Sequence, residues 1–175
     1  MLTVRIQHAA RVLLLAVMFL PAIVSCSRAG TQNDLLAYQS TPFHTTLRGE
    51  MNGFIFAGEL SHSPDEGSDR WVFTDPPALR GIEMSLCGEE ITVTYRGITV
   101  TDERWDDLRW AEIPALFSLE GEPISFTADR EQRQTTAIFQ THNGKAYTVT
   151  FDSDTALPRE IEGDGIRVEI LTFQP

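Results

Sequence analysis

The sequence predicts a mainly β domain: a curved antiparallel half-barrel sheet of about ten strands, with one short, proline-broken helical segment on its concave face. Three observations predict this fold. Apolar and polar residues alternate through most of the chain after Phe43, which is typical of half-buried strands. Turn-forming pairs such as Asn52-Gly53 separate these runs at hairpin spacing. Only the stretch 102–121 has helical spacing, so the pattern contains no βαβ alternation.

The first half of the domain is a succession of hairpins. FHTTLRGEM and GFIFAGELS flank Asn52-Gly53, the pair that a type I′ turn favours. RWVFTD follows and carries Trp71 and Phe73 on one face. IEMSLC and EITVTY flank a turn at Gly88-Glu89, and Arg96-Gly97 leads into the strand ITVTD. These runs predict six strands, of which the first two form one hairpin and the fourth and fifth form another.

The stretch DERWDDLRWAEIPALFSLEG changes character, because its apolar residues recur at helical spacing. The residues that carry this spacing are Trp105, Leu108, Ile113 and Leu116. Asp102 is a candidate N-cap, and Pro114 interrupts the pattern. We expect one short helix or two broken ones.

Strand patterns return after Gly121. They are PISFTAD, TTAIFQTH, AYTVTFDSD, ALPREIE and IRVEILTF, with turns at Asn143-Gly144 and Gly163-Asp164-Gly165. A single sheet of about ten strands must curl. The helical segment is therefore expected to lie on the concave face, where it would bury the second apolar set.

The N-terminus carries an export signal. A basic segment, Met1 to Arg11, precedes VLLLAVMFL, which is shorter than the roughly 20 residues of a transmembrane helix. The following Ile23-Val24-Ser25-Cys26 resembles the lipobox of bacterial lipoprotein signal peptides. The resemblance implies cleavage between Ser25 and Cys26 and a diacylglyceryl group on the Cys26 sulfur. The alternative is a signal-anchor whose cysteine is incidental.

The lipobox divides the chain into a signal peptide, 1–25, a flexible tether from Cys26, 26–34, and a folded domain, 35–175. We expect a protein anchored by its N-terminal lipid to the extracytoplasmic face of the cell membrane. The formal net charge of −11 argues against nucleic acid as a partner. Once Cys26 is acylated, Cys87 has no disulfide partner, and its apolar strand predicts a buried side chain.

No enzyme motif is present. His44, His62 and His142 lack metal-ligand spacing and are expected to be isolated surface residues. Asp152-Ser153-Asp154 lacks the glycine and glutamate of a calcium loop and is expected to be a turn. One acidic group could offer paired carboxylates or bind a hard cation, but helix capping is the preferred interpretation. Its members are Asp102, Glu103, Asp106, Asp107 and Glu112. We predict neither an enzyme nor a cofactor.

Several phrases resemble a known family. WVFTDPPALRG, ITVTYRG and VTFDSDTALPREIE followed by IRVEILTF are similar to bacterial lipoproteins of the LolA/LolB/LppX type, particularly their small uncharacterised Gram-positive relatives. The resemblance spans Phe43 to Phe173, and its motifs mark strand ends and turns. It implies a half-open barrel around a hydrophobic cleft, which in the best-understood members carries lipids or acylated proteins.

A set of aromatic side chains is the candidate site. On a curled sheet the inward-facing members converge, and they either fill the core or line a cleft for an acyl chain or apolar peptide. They are Phe54, Phe56, Trp71, Phe73, Tyr95, Trp105 and Trp110, with the last two at the rim. The predicted function is binding of a hydrophobic ligand, lipid or acyl chain. The alternative is an envelope interaction or regulatory module that binds a protein partner and carries no lipid.

Overall fold

The structure is a computed structural model that describes residues 35–88, 90–102, 109–141 and 144–175. Within these ranges the chain forms one 11-stranded sheet in the order β6-β5-β4-β3-β2-β1-β11-β10-β9-β8-β7. The strands are β1 Phe43–Met51, β2 Phe54–Ser63, β3 Ser68–Asp75, β4 Glu83–Cys87, β5 Glu90–Tyr95, β6 Ile98–Asp102, β7 Ser125–Asp129, β8 Gln134–Gln140, β9 Ala146–Asp152, β10 Pro158–Gly163 and β11 Ile166–Gln174. Every pairing is antiparallel, and β6 and β7 are the two edges. The predicted open, mainly β fold is confirmed.

Local turn chemistry sets the hairpin register. Asn52 and Gly53 have φ angles of 50° and 84°, as a type I′ turn requires, and Met51 pairs with Phe54 across them. Arg96 and Gly97, at 50° and 82°, join β5 to β6 in the same way. The one long-range pairing, β1 with β11, brings the two ends of the domain together at the middle of the sheet.

The two faces of the sheet differ as strand alternation requires. Inward-facing side chains form one core that includes Leu47, Phe56, Leu60, Trp71, Phe73, Met84, Phe139, Val149, Phe151, Ile161 and Val168. The outward face is polar. Arg48 is paired there with Glu169, Arg70 with Glu83, and Arg167 with Glu160.

Glycine makes room for the largest core rings. A Cβ added at Gly58 would overlap the Trp71 ring and the Val72 carbonyl oxygen. At Gly49 an added Cβ would lie 2.6 Å from Cζ of Phe56. Each ring therefore packs directly on a backbone that carries no side chain at that position.

The helical segment covers this core. A 3-10 turn, Arg109–Ala111, leads into α1, Glu112–Ala115, and the chain continues to Leu119; we call residues 109–119 the plug. Four plug side chains are buried in the same core as the sheet residues. They are Ile113, Leu116, Phe117 and Leu119. Pro114 lies within the first turn of α1, where its missing N–H has no helical partner to lose, so the broken, short helix is as predicted.

Asp102 is the last residue of β6, as the predicted strand ITVTD has it. Its role as a helix N-cap stays a prediction, because residues 103–108 lie outside the described residues. Trp105 and Leu108, with the acidic residues Glu103, Asp106 and Asp107, lie outside the described residues, as do Ser25, Cys26 and His142.

Two side-chain predictions are wrong. Cys87 is exposed rather than buried, because it follows Leu86 at the end of β4 and so points away from the core. His62 is buried rather than at the surface, because it continues the inward alternation of Phe56 and Leu60 along β2. Separately, no helix in the described part of the chain has the length and apolar character needed to cross a membrane.

Candidate functional site

Most of the predicted cleft aromatics meet in one aromatic cluster. The Phe73 ring lies 5.3 Å from Trp71 and 5.2 Å from Trp110, both edge to face. Phe56 is 6.0 Å from Trp71 and 5.4 Å from Trp110 in the same geometry. Phe56, Trp71 and Phe73 are almost completely buried. These three side chains are therefore part of the filled core, with Trp110 of the plug packed over them.

The other predicted aromatics lie at the margin or outside the described residues. Phe54 contacts Trp110 at 5.2 Å and is 41% exposed. Tyr95, on β5, is half-buried under the Arg96 guanidinium, 5.1 Å from its ring centre, and makes no ring contact with the cluster among the described residues. Trp105 lies outside the described residues.

A cavity of about 240 Å³ separates the plug from strands β8 and β9. Ala115, Leu116 and Leu119 form its plug side, and Tyr147 forms its sheet side. Polar residues at its border are Glu112, Ser118, Glu120, Gln140, Thr141 and Lys145. The volume is below the roughly 300–1,000 Å³ of typical drug-sized ligand sites. It suits one short apolar chain, or the end of a longer one, rather than a complete phospholipid.

A larger depression lies on the outward face of β1, β9, β10 and β11. It measures about 820 Å³ but is a wide surface hollow, lined mainly by the paired residues Arg48, Arg159, Glu160, Arg167 and Glu169. Its charged groups neutralise one another, so it offers little to an apolar ligand. The smaller cavity is the better candidate because apolar side chains from both layers contribute to its lining.

Four charged residues, which we call the ion cluster, fix the start of the plug to the sheet. Lys145 Nζ lies 2.9 Å from Glu112 Oε1 and 2.8 Å from Asp164 Oδ2. Arg109 Nη2 donates to the Asp164 carbonyl oxygen at 2.6 Å. Asp164 and then Glu112 raise the pKa of Lys145 well above its usual value by accepting its hydrogen bonds. The ion cluster thus holds a charged border beside the cavity.

Tyr147 connects that border to the apolar interior. Its side chain lines the cavity and is buried, and burial, followed by the nearby Glu112 charge, raises the pKa of its phenol. The ring is therefore neutral at physiological pH. It presents an apolar body to the cavity together with a polar tip near the ion cluster.

A second polar network lies at the opposite end of the sheet. His62 Nδ1 is 2.6 Å from Asp69 Oδ1, and His62 Nε2 is 2.8 Å from the carbonyl oxygen of Gln39. Ser118 Oγ donates to Asp69 Oδ2 at 3.3 Å. The residue types are those of a catalytic triad, but the serine contacts the aspartate, and a backbone carbonyl occupies the histidine nitrogen that would serve as base. This network ties segments together and provides no activated nucleophile.

The acidic residues of the Asp152-Ser153-Asp154 segment are bound by local hydrogen bonds and ion pairs. Asp152 Oδ1 accepts the N–H groups of Asp154 and Thr155 at 2.9 and 3.0 Å, so the predicted turn is confirmed. Asp152 is also paired with Arg159, and Asp154 with Arg133. Among the described residues, no three His, Cys, Asp or Glu side chains come together as metal ligands would.

The sequence could have revealed the burial of His62, but it could not have revealed the ion cluster. The inward alternation of β2 placed His62 on the core face, so its burial was open to prediction. The ion cluster joins Arg109, Lys145 and Asp164 from three separate connections, and no spacing in the sequence marks it.

No protein-family model matches the chain, and no curated protein matches it. Several solved structures match the chain in fold. An uncharacterized conserved protein from Thermus thermophilus gives a TM-score of 0.56 at 13% identity, covering 85% of this chain and 87% of that one. LolA superfamily protein NE2245 from Nitrosomonas europaea gives 0.50 at 12% identity, covering 83% and 94%. At these identities the likeness shows the fold, which is LolA-like. A specific relation to Gram-positive members stays a prediction.

Proposed function

We propose that this protein is a lipid-anchored lipoprotein of the bacterial cell envelope, without enzymatic activity, that binds the apolar chain of a lipid in the cavity between the plug and strands β8 and β9. The observation that carries the proposal is that apolar side chains from both layers, Ala115, Leu116 and Leu119 of the plug and Tyr147 of the sheet, line that partly open cavity. The aromatic cluster does not itself bind the ligand, because its central rings are already buried against one another and none of them lines the cavity.

Anchoring rests on the sequence. The lipobox-like Ile23-Val24-Ser25-Cys26 is the support for lipidation at Cys26 and for an extracytoplasmic location. Two or more acyl chains bind a membrane durably, at about 0.8 kcal/mol per buried methylene. In Cys26→Ser, we expect an uncleaved precursor that lacks the diacylglyceryl mass increment. Mature, membrane-bound protein from this variant would contradict the anchoring proposal.

Photolabelling tests the ligand site in the full-length chain. The protein is placed in nanodiscs that contain a phospholipid with a diazirine at the end of one acyl chain, irradiated, and digested for mass spectrometry. We expect labelled peptides that contain residues 115–119 and Tyr147. Ala115 is exposed at the cavity, so Ala115→Trp should fill the cavity without disturbing the core and reduce this labelling at least fivefold.

Ala128→Trp is the matched control, because Ala128 is also exposed but lies on β7 outside the cavity lining. Its labelling should equal that of the wild type. Label confined to the tether, or label at 115–119 that Ala115→Trp leaves unchanged, would contradict the ligand proposal.

The second candidate function, an envelope module that binds a protein partner, has support from a different part of the molecule. The edge strand β6 exposes apolar side chains and has no neighbouring strand on one side in the described part of the chain. This function does not require the cavity.

A further inference from the structure

Strand β6 ends the sheet with an apolar inner face that the plug leaves exposed. In the described part of the chain it has a single neighbouring strand, β5. Ile98 and Val100, which share the inward face with Tyr95 and Val93, are 70% and 51% exposed. Most inward-facing side chains nearer the centre of the sheet are buried, so this edge is where the core surface continues into solvent.

The turn geometry shows which backbone groups of β6 face outward. Arg96 and Gly97 form a two-residue turn with positive φ at both positions, and Tyr95 pairs with Ile98 directly across it. In such a hairpin the residues flanking the turn exchange both N–H···O bonds, and bonded pairs then alternate along the ladder. Ile98 and Val100 therefore bond to β5, whereas the N–H and C=O groups of Thr99 and Thr101 point away from the sheet.

Within β6, residues 98–101 contain none of the features that normally block the approach of another strand. Natural edge strands are usually protected by lysine, proline, a bulge or an inward-pointing charge. Residues 98–101 are Ile-Thr-Val-Thr, and their register with β5 is continuous. The two threonine hydroxyls are already engaged on the outward face, Thr99 with Thr94 at 3.1 Å and Thr101 with Thr92 at 3.0 Å. The backbone N–H and C=O groups of Thr99 and Thr101 that point away from β5 thus remain the available polar groups of the edge.

We propose that the β6 edge binds an extended segment of a basic partner protein, which adds to the sheet as an antiparallel strand. This inference rests on the second candidate function and names its surface and partner chemistry. The backbone of the bound segment pairs with Thr99 and Thr101, and apolar residues at alternate positions of the segment lie beside Ile98 and Val100. Main-chain hydrogen bonds supply affinity, and the alternating side chains supply selectivity.

Charge selects a basic segment over a second copy of the chain. The formal net charge is −11, while residues 1–34 contain Arg5, Arg11 and Arg28 against Asp34 alone, so the acidic excess lies in residues 35–175. Two copies meeting edge to edge would repel each other. A basic partner is instead attracted, and the attraction weakens as salt is added.

Hydrogen exchange on the full-length chain in nanodiscs tests the proposal. The probe is a heptapeptide with valine at alternate positions, threonine between them and lysine at both ends, added at millimolar concentration. We expect exchange at the Thr99 and Thr101 amides to slow at least tenfold. The Val100 amide, already bonded to β5, should change little. The same peptide with glutamate at both ends should give at least fivefold less protection.

Variants locate the effect. Thr99→Pro removes one outward N–H without removing a bond to β5, and Val100→Lys places a charge on the inward face of the edge. Each should abolish the protection. Phe126→Lys is the matched control, because Phe126 is 41% exposed on the other edge strand, β7, and it should leave the protection intact.

Three results would overturn the proposal: unchanged exchange at Thr99 and Thr101, equal protection by the glutamate peptide, or protection that appears without peptide as the protein concentration rises, which would indicate a second copy. Photolabelling of residues 115–119 reports on the cavity alone. The failure of the edge proposal and the failure of the ligand proposal are therefore distinguishable.

Discussion

His62 and Asp69 form a buried pair, with Nδ1 of the histidine 2.6 Å from Oδ1 of the aspartate and each side chain about 10% exposed. The pair does more than join β2 to β3. Through the Gln39 carbonyl it holds the 3-10 turn Ala37–Ser40, and through Ser118 it holds the end of the plug. One pair therefore connects the start of the domain, the sheet and the plug.

We expect Asp69→Ala to lower the free energy of unfolding by about 3 kcal/mol, because removing one partner leaves a buried polar group uncompensated. Urea denaturation at pH 7 measures this change. Asp65→Ala is the control, since Asp65 is exposed in the neighbouring turn, and it should change stability by less than about 0.5 kcal/mol. Equal effects of the two variants would show that the pair is not a structural link.

Tyr38 should make the domain sensitive to alkaline pH. Burial raises the pKa of its phenol from 10.0 to about 12, although a hydrogen bond from the Gln39 amide opposes the shift. Below pH 10 the phenol is neutral in both states, and its contribution is complete. Between pH 10 and 12 the unfolded chain loses the proton and the folded chain keeps it, so stability falls by about 3 kcal/mol.

Comparison with Tyr38→Phe isolates this contribution, because phenylalanine retains the packing against Phe43 and Phe173 and cannot ionise. Urea midpoints measured at pH 9 and pH 12 should fall further for the wild type than for the variant. Parallel pH dependences would contradict the assignment.

The ion cluster should control opening of the plug. Asp164→Ala removes the acceptor that Arg109 and Lys145 share, so hydrogen exchange at the Leu116 and Phe117 amides should accelerate at least threefold. In the wild type, 1 M NaCl should also accelerate this exchange, because salt screens exposed charges. Asp154→Ala, which removes a pair with Arg133 at a distant turn, should leave the plug unchanged. An equal acceleration in both variants would exclude a specific role.

The aromatic cluster should behave as core. Trp71→Ala is expected to cost about 4 kcal/mol of unfolding free energy, since Trp71 is fully buried and packs on Phe56, Gly58 and Phe73. Phe54→Ala, at the exposed margin, should cost less than about 1.5 kcal/mol. Urea denaturation of both variants checks the difference. A small cost for Trp71→Ala would indicate that its ring lines a space rather than filling one.

Most of the fold was predictable because its signals are local. Alternation with a period of two marked the strands, and pairs such as Asn52-Gly53 and Arg96-Gly97 marked turns whose positive φ angles the structure confirms. The prediction failed where a side chain was assigned to the wrong face of its strand, at Cys87, which is exposed, and at His62, which is buried. Such errors arise because side chains alternate along a strand, so a shift of one position moves a side chain to the opposite face of the sheet.

The sequence by itself determined the strands, the turns between them and the short broken helix, because each depends on residues adjacent in the chain. Only the tertiary structure decided which aromatic residues became core, where a cavity remained, and which edge stayed open. Phe56, Trp71 and Trp110 meet only when the plug lies across the sheet, and Lys145 reaches Glu112 and Asp164 only when three connections converge. Contacts between residues so far apart leave no periodic trace in the sequence.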